Sequence, residues 1–188
     1  VKNEFRDKRW TFYGQEVLER FEEIILVEGE NDRLQVLNTG IPYVCAMIGQ
    51  ISDDQLKALA GRCRGKHLYV WTDNDLAGRG YIRKIAHALH DISIRIIVYG
   101  KPEDDPDSYL KGFDGDRKRE VRRLQLEAVD YVTWEIQQAA TLTSLEDKRR
   151  HLQEPGIFDK KADQLEGKKY SSVFRLIGRQ TIIQQDEY

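Results

Sequence analysis

Short hydrophobic runs alternate with longer amphipathic stretches along the first 112 residues of the chain. Each run has four to six residues and stops at Gly, Asp or Glu, which is typical of buried strands. Between two of these runs, residues 78–89 place Ile82, Ile85, Ala86 and Leu89 at helical spacing. The pattern predicts strands at 24–27, 43–48, 67–72 and 94–99 and helices at 16–23, 30–38, 52–59 and 78–89. This alternation indicates an α/β domain with a parallel sheet of about four strands flanked by helices, over residues 24–112.

Two of the predicted helices carry specific signals. In the helix at 30–38 we expect Leu34 and Leu37 to face inward, and the helix to stop near Gly40. Ser52 and Gln55 have the spacing of a capping box, which indicates a helix that begins there.

After Gly115 the pattern becomes helical throughout. It predicts helices at 117–140, 145–152 and 170–183, with a Pro-Gly pair at 155–156 between the last two. We therefore expect an all-helical appendage over residues 113–188. The basic run at 117–123 fits either a solvated helix face or a nucleic-acid contact, and the sequence leaves both interpretations open.

Composition narrows the class of protein. The 188 residues are 40% hydrophobic and 33% charged with a formal net charge of −2, which fits a globular protein with no global basic field. No apolar run approaches the length of a membrane span and no signal-peptide pattern opens the chain, so we expect a cytoplasmic protein. Cys45 and Cys63 form no CxxC pair and the histidines have no zinc-ligand spacing, so no zinc is predicted. Because Val1 is not an initiator Met, we expect a piece of a longer protein.

Two acids, Asp73 and Asp75, stand one residue apart where the third predicted strand ends. Ligands of parallel α/β sheets bind beyond the carboxyl ends of the strands, so both carboxylates could hold one hard cation. Ala77 and Gly78 are small enough to let the following helix begin close to that site. An aspartate that caps a helix beside a solvated acid explains the same pair, and the pair alone does not decide.

Acids also follow the first and fourth predicted strands. Glu28 and Asp32 follow the first, and a run from Glu103 to Asp107 follows the fourth. In a parallel sheet all three ends meet at one edge, where so many carboxylates repel one another unless cations bind or some acids stay protonated. Mg²⁺ or Mn²⁺ is the natural partner, and two such ions about 4 Å apart support phosphoryl or nucleotidyl transfer. Loops that are merely acidic remain the simpler alternative.

Three segments resemble the signature segments of the Toprim domain, and the match is closest to bacterial DnaG-type primases and phage primase-helicases. The segments are ILVEGEND at 25–32, WTDNDLAG at 71–78 and DDPDSY at 104–109, within a resemblance that covers residues 12–112. The sequence Phe12-Tyr13-Gly14 resembles the tail of the preceding primase subdomain, so residues 1–23 are assigned to that tail. Asn74, and Glu30 with Asn31, depart from the residues usual in primases without removing an acid.

The resemblance implies a role for each acid. Glu28 matches the glutamate that binds metal or assists proton transfer, and Asp73 and Asp75 match the metal-binding pair, so these three are the expected catalytic residues. Further acids at the implied metal site are Asp32, Asp105 and Asp107. The implied activity is synthesis of RNA primers on single-stranded DNA from nucleoside triphosphates, with Mg²⁺ or Mn²⁺, two ions in all. A replicative helicase is an implied partner through regions outside this chain.

Three basic residues follow the second signature segment: Arg79, Arg83 and Lys84. Near a helix start they could hold phosphates of a nucleotide or template, although a solvated helix face explains them equally well. Two other functions remain open for the acids. One is a Toprim nuclease that hydrolyses phosphodiesters, and the other is a catalytically silent Toprim module that serves as a scaffold.

Overall fold

A computed structural model describes residues 12–89 and 92–153 of the chain. The described residues form two compact units, one up to Tyr131 and one from Val132 onward. This division differs from the predicted domain limits at 24–112 and 113–188, which follow the hydrophobic pattern of the sequence and stay predictions.

The first unit is built on a parallel sheet. Its elements are α1 (Val17–Arg20), β1 (Glu23–Val27), α2 (Glu30–Asn38), β2 (Val44–Ala46), α3 (Asp53–Arg62), β3 (His67–Trp71), α4 (Leu76–Ala88), β4 (Ser93–Ile96), α5 (Pro106–Gly112) and α6 (Arg117–Glu127). The four strands run in the order β2-β1-β3-β4, and every neighbouring pair is parallel. The predicted fold class is therefore confirmed, and the ends of β1 and β3 lie side by side, with Val27 paired to Trp71.

The hydrophobic runs lie in the sheet because both of its faces are covered. Ile24, Ile25, Leu26 and Val27 of β1 are all fully buried, as parallel strands between helical layers require. Trp71, at the end of β3, is also fully buried and packs edge-on against Tyr99, with ring centroids 5.5 Å apart. The core therefore reaches the edge of the sheet where the acids follow, and it fixes the backbone from which they project.

The capping box of α3 is confirmed, but the inner face of α2 is not what hydrophobic spacing predicted. Ser52 Oγ accepts from the Gln55 backbone N–H at 3.2 Å, and Gln55 Oε1 accepts from the Ser52 N–H at 2.9 Å. In α2, Leu34 is 45% exposed and Leu37 is only partly buried, so the prediction for Leu34 was wrong. The buried positions of α2 are Val36 and three polar residues: Asp32, Arg33 and Gln35.

Arg33 explains part of this reversal. Its Nε donates to the Val44 carbonyl at 3.0 Å, and its guanidinium lies 4.5 Å from the centre of the Tyr13 ring. Tyr13 in turn exchanges backbone hydrogen bonds of 3.0 and 2.9 Å with Ala46. A buried arginine thus fastens the segment before α1 to the outer side of β2.

The long helix predicted at 117–140 is broken. Its first part is α6, and a new helix, α7 (Tyr131–Ala140), begins after three intervening residues. Between them Val129 pairs antiparallel with Ile96 of β4, through hydrogen bonds of 2.7 and 3.0 Å. The prediction was wrong here because hydrophobic spacing continues through the break, while the backbone leaves the helix to pair with the sheet.

The second unit contains most of α7 and all of α8 (Leu145–Gln153). Within it the fully buried Glu135 has Oε2 2.9 Å from His151 Nε2. The predicted helix at 145–152 is thus confirmed, while the one at 170–183 and the Pro-Gly pair lie outside the described residues. Among the described residues, no helix has the length and apolar character needed to cross a bilayer.

Candidate active site

Glu28 and Asp73 lie at the adjacent carboxyl ends of β1 and β3. Each has one carboxylate oxygen, Glu28 Oε2 and Asp73 Oδ1, that is buried and has no hydrogen-bond partner among the described residues. A buried oxygen without a partner costs free energy, so such atoms call for an explanation such as an ion. These two side chains form the centre of the candidate site.

The electrostatics of this pair point the same way. Burial, followed by the charges of Asp73 and Asp75, raises the pKa of Glu28 to about 7, although a hydrogen bond from the Asp73 backbone N–H opposes the rise. Burial, followed by the charges of Asp32 and Asp105, raises the pKa of Asp73 to about 6. Both shifts disfavour the ionised carboxylates, first because burial removes them from water and second because their neighbours are negatively charged.

Asp32 differs from Glu28 and Asp73 because both of its carboxylate oxygens have hydrogen-bond partners. It is 7% exposed, and both of its oxygens accept backbone hydrogen bonds, Oδ2 from Gly29 at 2.8 Å and Oδ1 from Asp107 at 3.2 Å. Burial is the largest influence on its pKa, which is raised, while the two backbone donors act in the opposite direction. The structure therefore brings Asp32 to the site and gives it a bracing role, since it ties the start of α2 to α5.

Asp75 caps α4. Its Oδ1 accepts from the Gly78 backbone N–H at 2.7 Å, so the capping interpretation holds for this oxygen. Gly78 is needed for this geometry, because a Cβ at that position would lie 2.0 Å from the Asp73 carbonyl oxygen. The small residue lets α4 begin against the backbone that carries the acids, as the sequence suggested.

Asp105 and Asp107 enter the site from α5. Pro106 keeps Asp105 extended, with φ −111° and ψ 162°, and Asp105 Oδ1 caps α5 by accepting from the Ser108 N–H at 2.6 Å. Asp107 Oδ2 lies 2.5 Å from Lys111 Nζ. The acidic run from Glu103 to Asp107 thus ends in the first turn of a helix, which hydrophobic spacing did not reveal.

The three acidic segments meet around one open cleft of about 420 Å³. Its wall includes four of the predicted acids and residues from the ends of β1 and β2: Gly29, Glu30, Asn31, Asp32, Ile48, Gly49, Asp73, Asp105 and Asp107. Sequence reasoning did not place Ile48 here. Its φ of +60° is unusual for a β-branched residue, and the Gly49 that follows, at +82°, was the only sign of a sharp turn.

Of the three basic candidates, Arg79 and Arg83 are half-buried on α4. Lys84 reaches across to α3, where its Nζ donates to the Ile51 carbonyl at 2.7 Å and lies 3.6 Å from Asp53. Lys84 therefore already joins two helices. Phosphate contact by these residues stays a prediction.

The residues present suit a divalent cation but do not form a finished coordination shell. Carboxylate oxygens are the ligands that Mg²⁺ and Mn²⁺ prefer, and two of these oxygens are buried without partners. In the part of the chain that the structure describes, no three Asp, Glu, His or Cys side chains are grouped closely enough to hold an ion. The donor set therefore fits a divalent cation in its chemistry.

Comparison with known proteins gives consistent matches. Residues 25–110 match the family model described as Toprim-like. The zinc-binding and RNA polymerase domains of Aquifex aeolicus primase are 26% identical at a TM-score of 0.61, over 81% of this chain and 38% of that one. The RNA polymerase domain of Mycobacterium tuberculosis primase DnaG is 20% identical at a TM-score of 0.64, over 89% and 59%. A DnaG primase catalytic domain bound to single-stranded DNA is 18% identical at 0.61, over 81% and 50%.

No curated protein matches the chain significantly in sequence. Residues 25–110 nevertheless form a Toprim domain, as the family model and the parallel sheet both show. Its fold is similar to that of the corresponding part of DnaG primase catalytic cores. The chain spans between 38% and 59% of the length of the three solved chains compared above, so the activity of a whole primase does not pass to it by likeness alone.

Proposed function

We propose that this chain is part of the catalytic core of a DnaG-type primase, which joins nucleoside triphosphates into short RNA primers on a single-stranded DNA template. The observation that carries the proposal is the pair of buried, unpartnered oxygens, Glu28 Oε2 and Asp73 Oδ1, at the ends of adjacent parallel strands. An edge that gathers these carboxylates and leaves two of their oxygens buried without described partners suits divalent ions better than it suits a structural role.

In this proposal each acid has a distinct task. Asp73 and Asp75 would hold Mg²⁺ or Mn²⁺ with the oxygens that the cap and the backbone leave available. When bound, two such ions would neutralise charge on the phosphates of the incoming nucleotide. Glu28, whose pKa is about 7, is suited to accept the proton of the primer 3′-hydroxyl at Oε2 as the 3′-oxygen attacks the α-phosphorus and pyrophosphate leaves.

Support for a DNA partner comes from similar proteins that were solved with DNA. One similar primase catalytic domain was solved bound to single-stranded DNA, and one M. tuberculosis RNA polymerase domain was solved with a double-stranded oligomer that has a 6-nucleotide overhang. We extend that property to this chain as part of the proposal. Arg79 and Arg83, beside the start of α4, are the residues we expect to meet phosphate.

Metal binding is the first test. Calorimetric titration with Mn²⁺ should show binding to the wild type and its loss in the Asp73→Ala, Asp75→Ala double variant. The matched control is the Asp114→Ala, Asp116→Ala double variant, which removes two acids with the same spacing outside the cleft. Asp116 also caps a helix, accepting from the Arg119 N–H at 3.0 Å, so the control includes the loss of a cap. Equal binding in all three proteins would contradict the proposal.

Products separate the proposed activity from the nuclease alternative, which uses the same acids. The chain is incubated with Mn²⁺, labelled nucleotides and single-stranded DNA, alone and with the separately produced amino-terminal half of a DnaG core. Labelled RNA oligomers support the proposal, whereas cleaved DNA without RNA supports the nuclease. Metal binding that produces neither would favour the scaffold alternative.

A further inference from the structure

Asn74, between Asp73 and Asp75, makes four hydrogen bonds to the segment after β4, three of them to the loop of residues 101–105. Its backbone N–H donates to the Asp104 carbonyl at 2.9 Å, and its carbonyl accepts from the Glu103 N–H at 3.1 Å. Its side-chain Nδ2 donates to the Lys101 carbonyl at 3.0 Å and to the Tyr99 carbonyl at 3.3 Å. One residue at the end of β3 is thus bonded to most of the loop of residues 101–105.

Tyr99 is a second residue that holds the same loop. The Tyr99 hydroxyl lies 2.8 Å from the Asp104 carbonyl and 3.0 Å from the Thr72 carbonyl. It therefore links the loop to the residue that directly precedes Asp73. Within the loop, the Lys101 N–H donates to Asp104 Oδ2 at 2.9 Å. These hydrogen bonds restrict the conformation of the loop, and those of Asn74 connect the loop to the end of β3, which Asp73 follows.

The loop matters because of where it ends. Its last residue is Asp105, which caps α5 and lines the acidic cleft together with Asp73. The two carboxyls are close enough for the charge of Asp105 to act on Asp73. Asp105 sits on a different element from Asp73, so their separation depends on the bonds between the loop and β3.

We propose that Asn74 is a positioning residue that clamps the loop of residues 101–105 to the end of β3 and thereby sets Asp105 opposite Asp73 for metal binding. The inference rests on the proposed function, because it assumes that both acids bind a divalent ion. It goes further in assigning a task to a residue that bears no charge and faces two carbonyls rather than the cleft.

The side chain is chemically suited to this task. An amide NH₂ offers two donors, which match the carbonyls of Tyr99 and Lys101. An aspartate of the same shape would set a carboxylate against those two carbonyls, and an alanine would leave them without this donor. A glycine would likewise keep only the two backbone bonds.

The test measures Mn²⁺ affinity in a double-variant cycle. The single variants are Asn74→Ala and Asp105→Asn, the second chosen because asparagine can still cap α5 while the charge is lost. Loss of groups that orient ligands weakens metal affinity by roughly tenfold or more, and we expect that loss for Asn74→Ala. Because Asn74 acts through Asp105, the double variant should bind no more weakly than Asp105→Asn alone.

Hydrogen exchange without metal provides the second readout. In Asn74→Ala the amides of Glu103 and Asp104 should exchange faster than in the wild type, while those of the sheet remain unchanged. Asn38→Ala, at an exposed position that ends α2, is the matched control and should leave exchange and affinity unchanged. Unchanged Mn²⁺ affinity in Asn74→Ala, or losses that add in the double variant, would overturn the inference and leave the proposed function intact. Absence of Mn²⁺ binding in the wild type would overturn both.

Discussion

The acidic edge of the sheet and the basic helix α6 are both dense clusters of one charge, but the fold treats them in opposite ways. Along α6, Arg123 binds Glu120 at 2.6 Å and also pairs with Glu127, while Arg122 lies 3.3 Å from Glu23. At the acidic edge, Lys111 pairs with Asp107.

The difference separates charges that have found partners from charges that have not. Arg122 also lies over the Tyr43 ring at 5.2 Å, and Arg117 donates to the Phe113 and Lys111 carbonyls. Much of the basic run is therefore used within the unit, which favours a structural explanation over nucleic-acid contact. The acidic edge instead keeps buried oxygens without described partners, which an external cation or a bound proton would compensate.

The largest effect should come from Gly78→Ala, which breaks the acidic edge at its backbone. The new Cβ would lie 2.0 Å from the Asp73 carbonyl oxygen, an atom that cannot move without displacing the strand end. We expect a loss of about 2–3 kcal/mol in the free energy of unfolding, typical of overpacking, together with loss of Mn²⁺ binding. Urea unfolding and calorimetry measure the two effects.

Gly80→Ala is the matched control, since it lies two residues further along α4 with nothing within 4 Å of its added Cβ. It should stabilise the protein by up to about 1 kcal/mol through helix propensity. If both alanine variants behaved alike, the close packing of α4 against Asp73 would be disproved.

The next effect tests the basic helix. Arg123→Ala removes the partner of Glu120, which is 5% exposed and also accepts from the Tyr109 hydroxyl at 2.6 Å. Because Arg123 is half exposed, we expect a loss of only about 1–2 kcal/mol at pH 7 in urea unfolding. Arg119→Ala, on the exposed side of α6, should change stability by less than about 0.5 kcal/mol.

The pH dependence of this variant supplies its own check. The Arg123 guanidinium holds the pKa of Glu120 below its usual range. Such a group contributes stability above its unfolded pKa and loses it as the pH falls through the folded value. The difference between Arg123→Ala and the wild type should therefore shrink in acid, and a difference that stayed constant would mean that Arg123 acts through packing instead.

The acidic edge should show the opposite pH dependence without metal. Glu28 has a pKa of about 7, above its usual value of 4.5, so its contribution to stability is present below pH 4.5 and is lost as the pH rises to 7. Glu28→Gln should remove that loss and stabilise the metal-free protein at pH 8 by on the order of 1 kcal/mol, after allowance for solvent screening. Urea unfolding between pH 5 and 8 measures it.

Saturating Mg²⁺ sharpens the same experiment. Mg²⁺ should restore the free energy of unfolding that the wild type loses as the pH rises, because an ion that binds only the folded state stabilises it. The stabilisation by Mg²⁺ should be smaller in Glu28→Gln. If the free energy of unfolding depended on pH in the same way in both proteins, the raised pKa of Glu28 would be disproved.

The sheet and its acidic edge could be predicted because the signal is local. Runs such as 24–27 bury both faces, and an acid that follows a parallel strand must lie at the carboxyl edge whatever the details. The hydrogen-bond partners of the individual acids were not predictable, because they depend on which backbone N–H groups lie near each carboxylate in the fold. Asp32 is occupied by the Gly29 and Asp107 N–H groups, whereas Asp73 Oδ1 meets none.

Other errors have the same origin in contacts between distant segments. Leu34 faces solvent because Arg33 turns inward to the Val44 carbonyl, and the helix predicted at 117–140 breaks where Val129 pairs with Ile96. The side-chain hydrogen bonds of Asn74 could not be predicted, because its partners, the carbonyls of Tyr99 and Lys101, lie more than twenty residues away along the chain. Hydrophobic spacing carries no information about such polar links.

The smallest effect on stability, and the sharpest on function, should come from Asp75→Asn. Asparagine can still accept from the Gly78 N–H that Asp75 Oδ1 now receives at 2.7 Å, so stability should change by less than about 0.5 kcal/mol. Asp75→Ala removes the cap as well and should cost about 1 kcal/mol. If Asp75 only caps α4, Mn²⁺ affinity should follow stability and survive in the asparagine variant. If the carboxylate binds metal through its other oxygen, as we propose, both variants should lose affinity equally although only one loses stability.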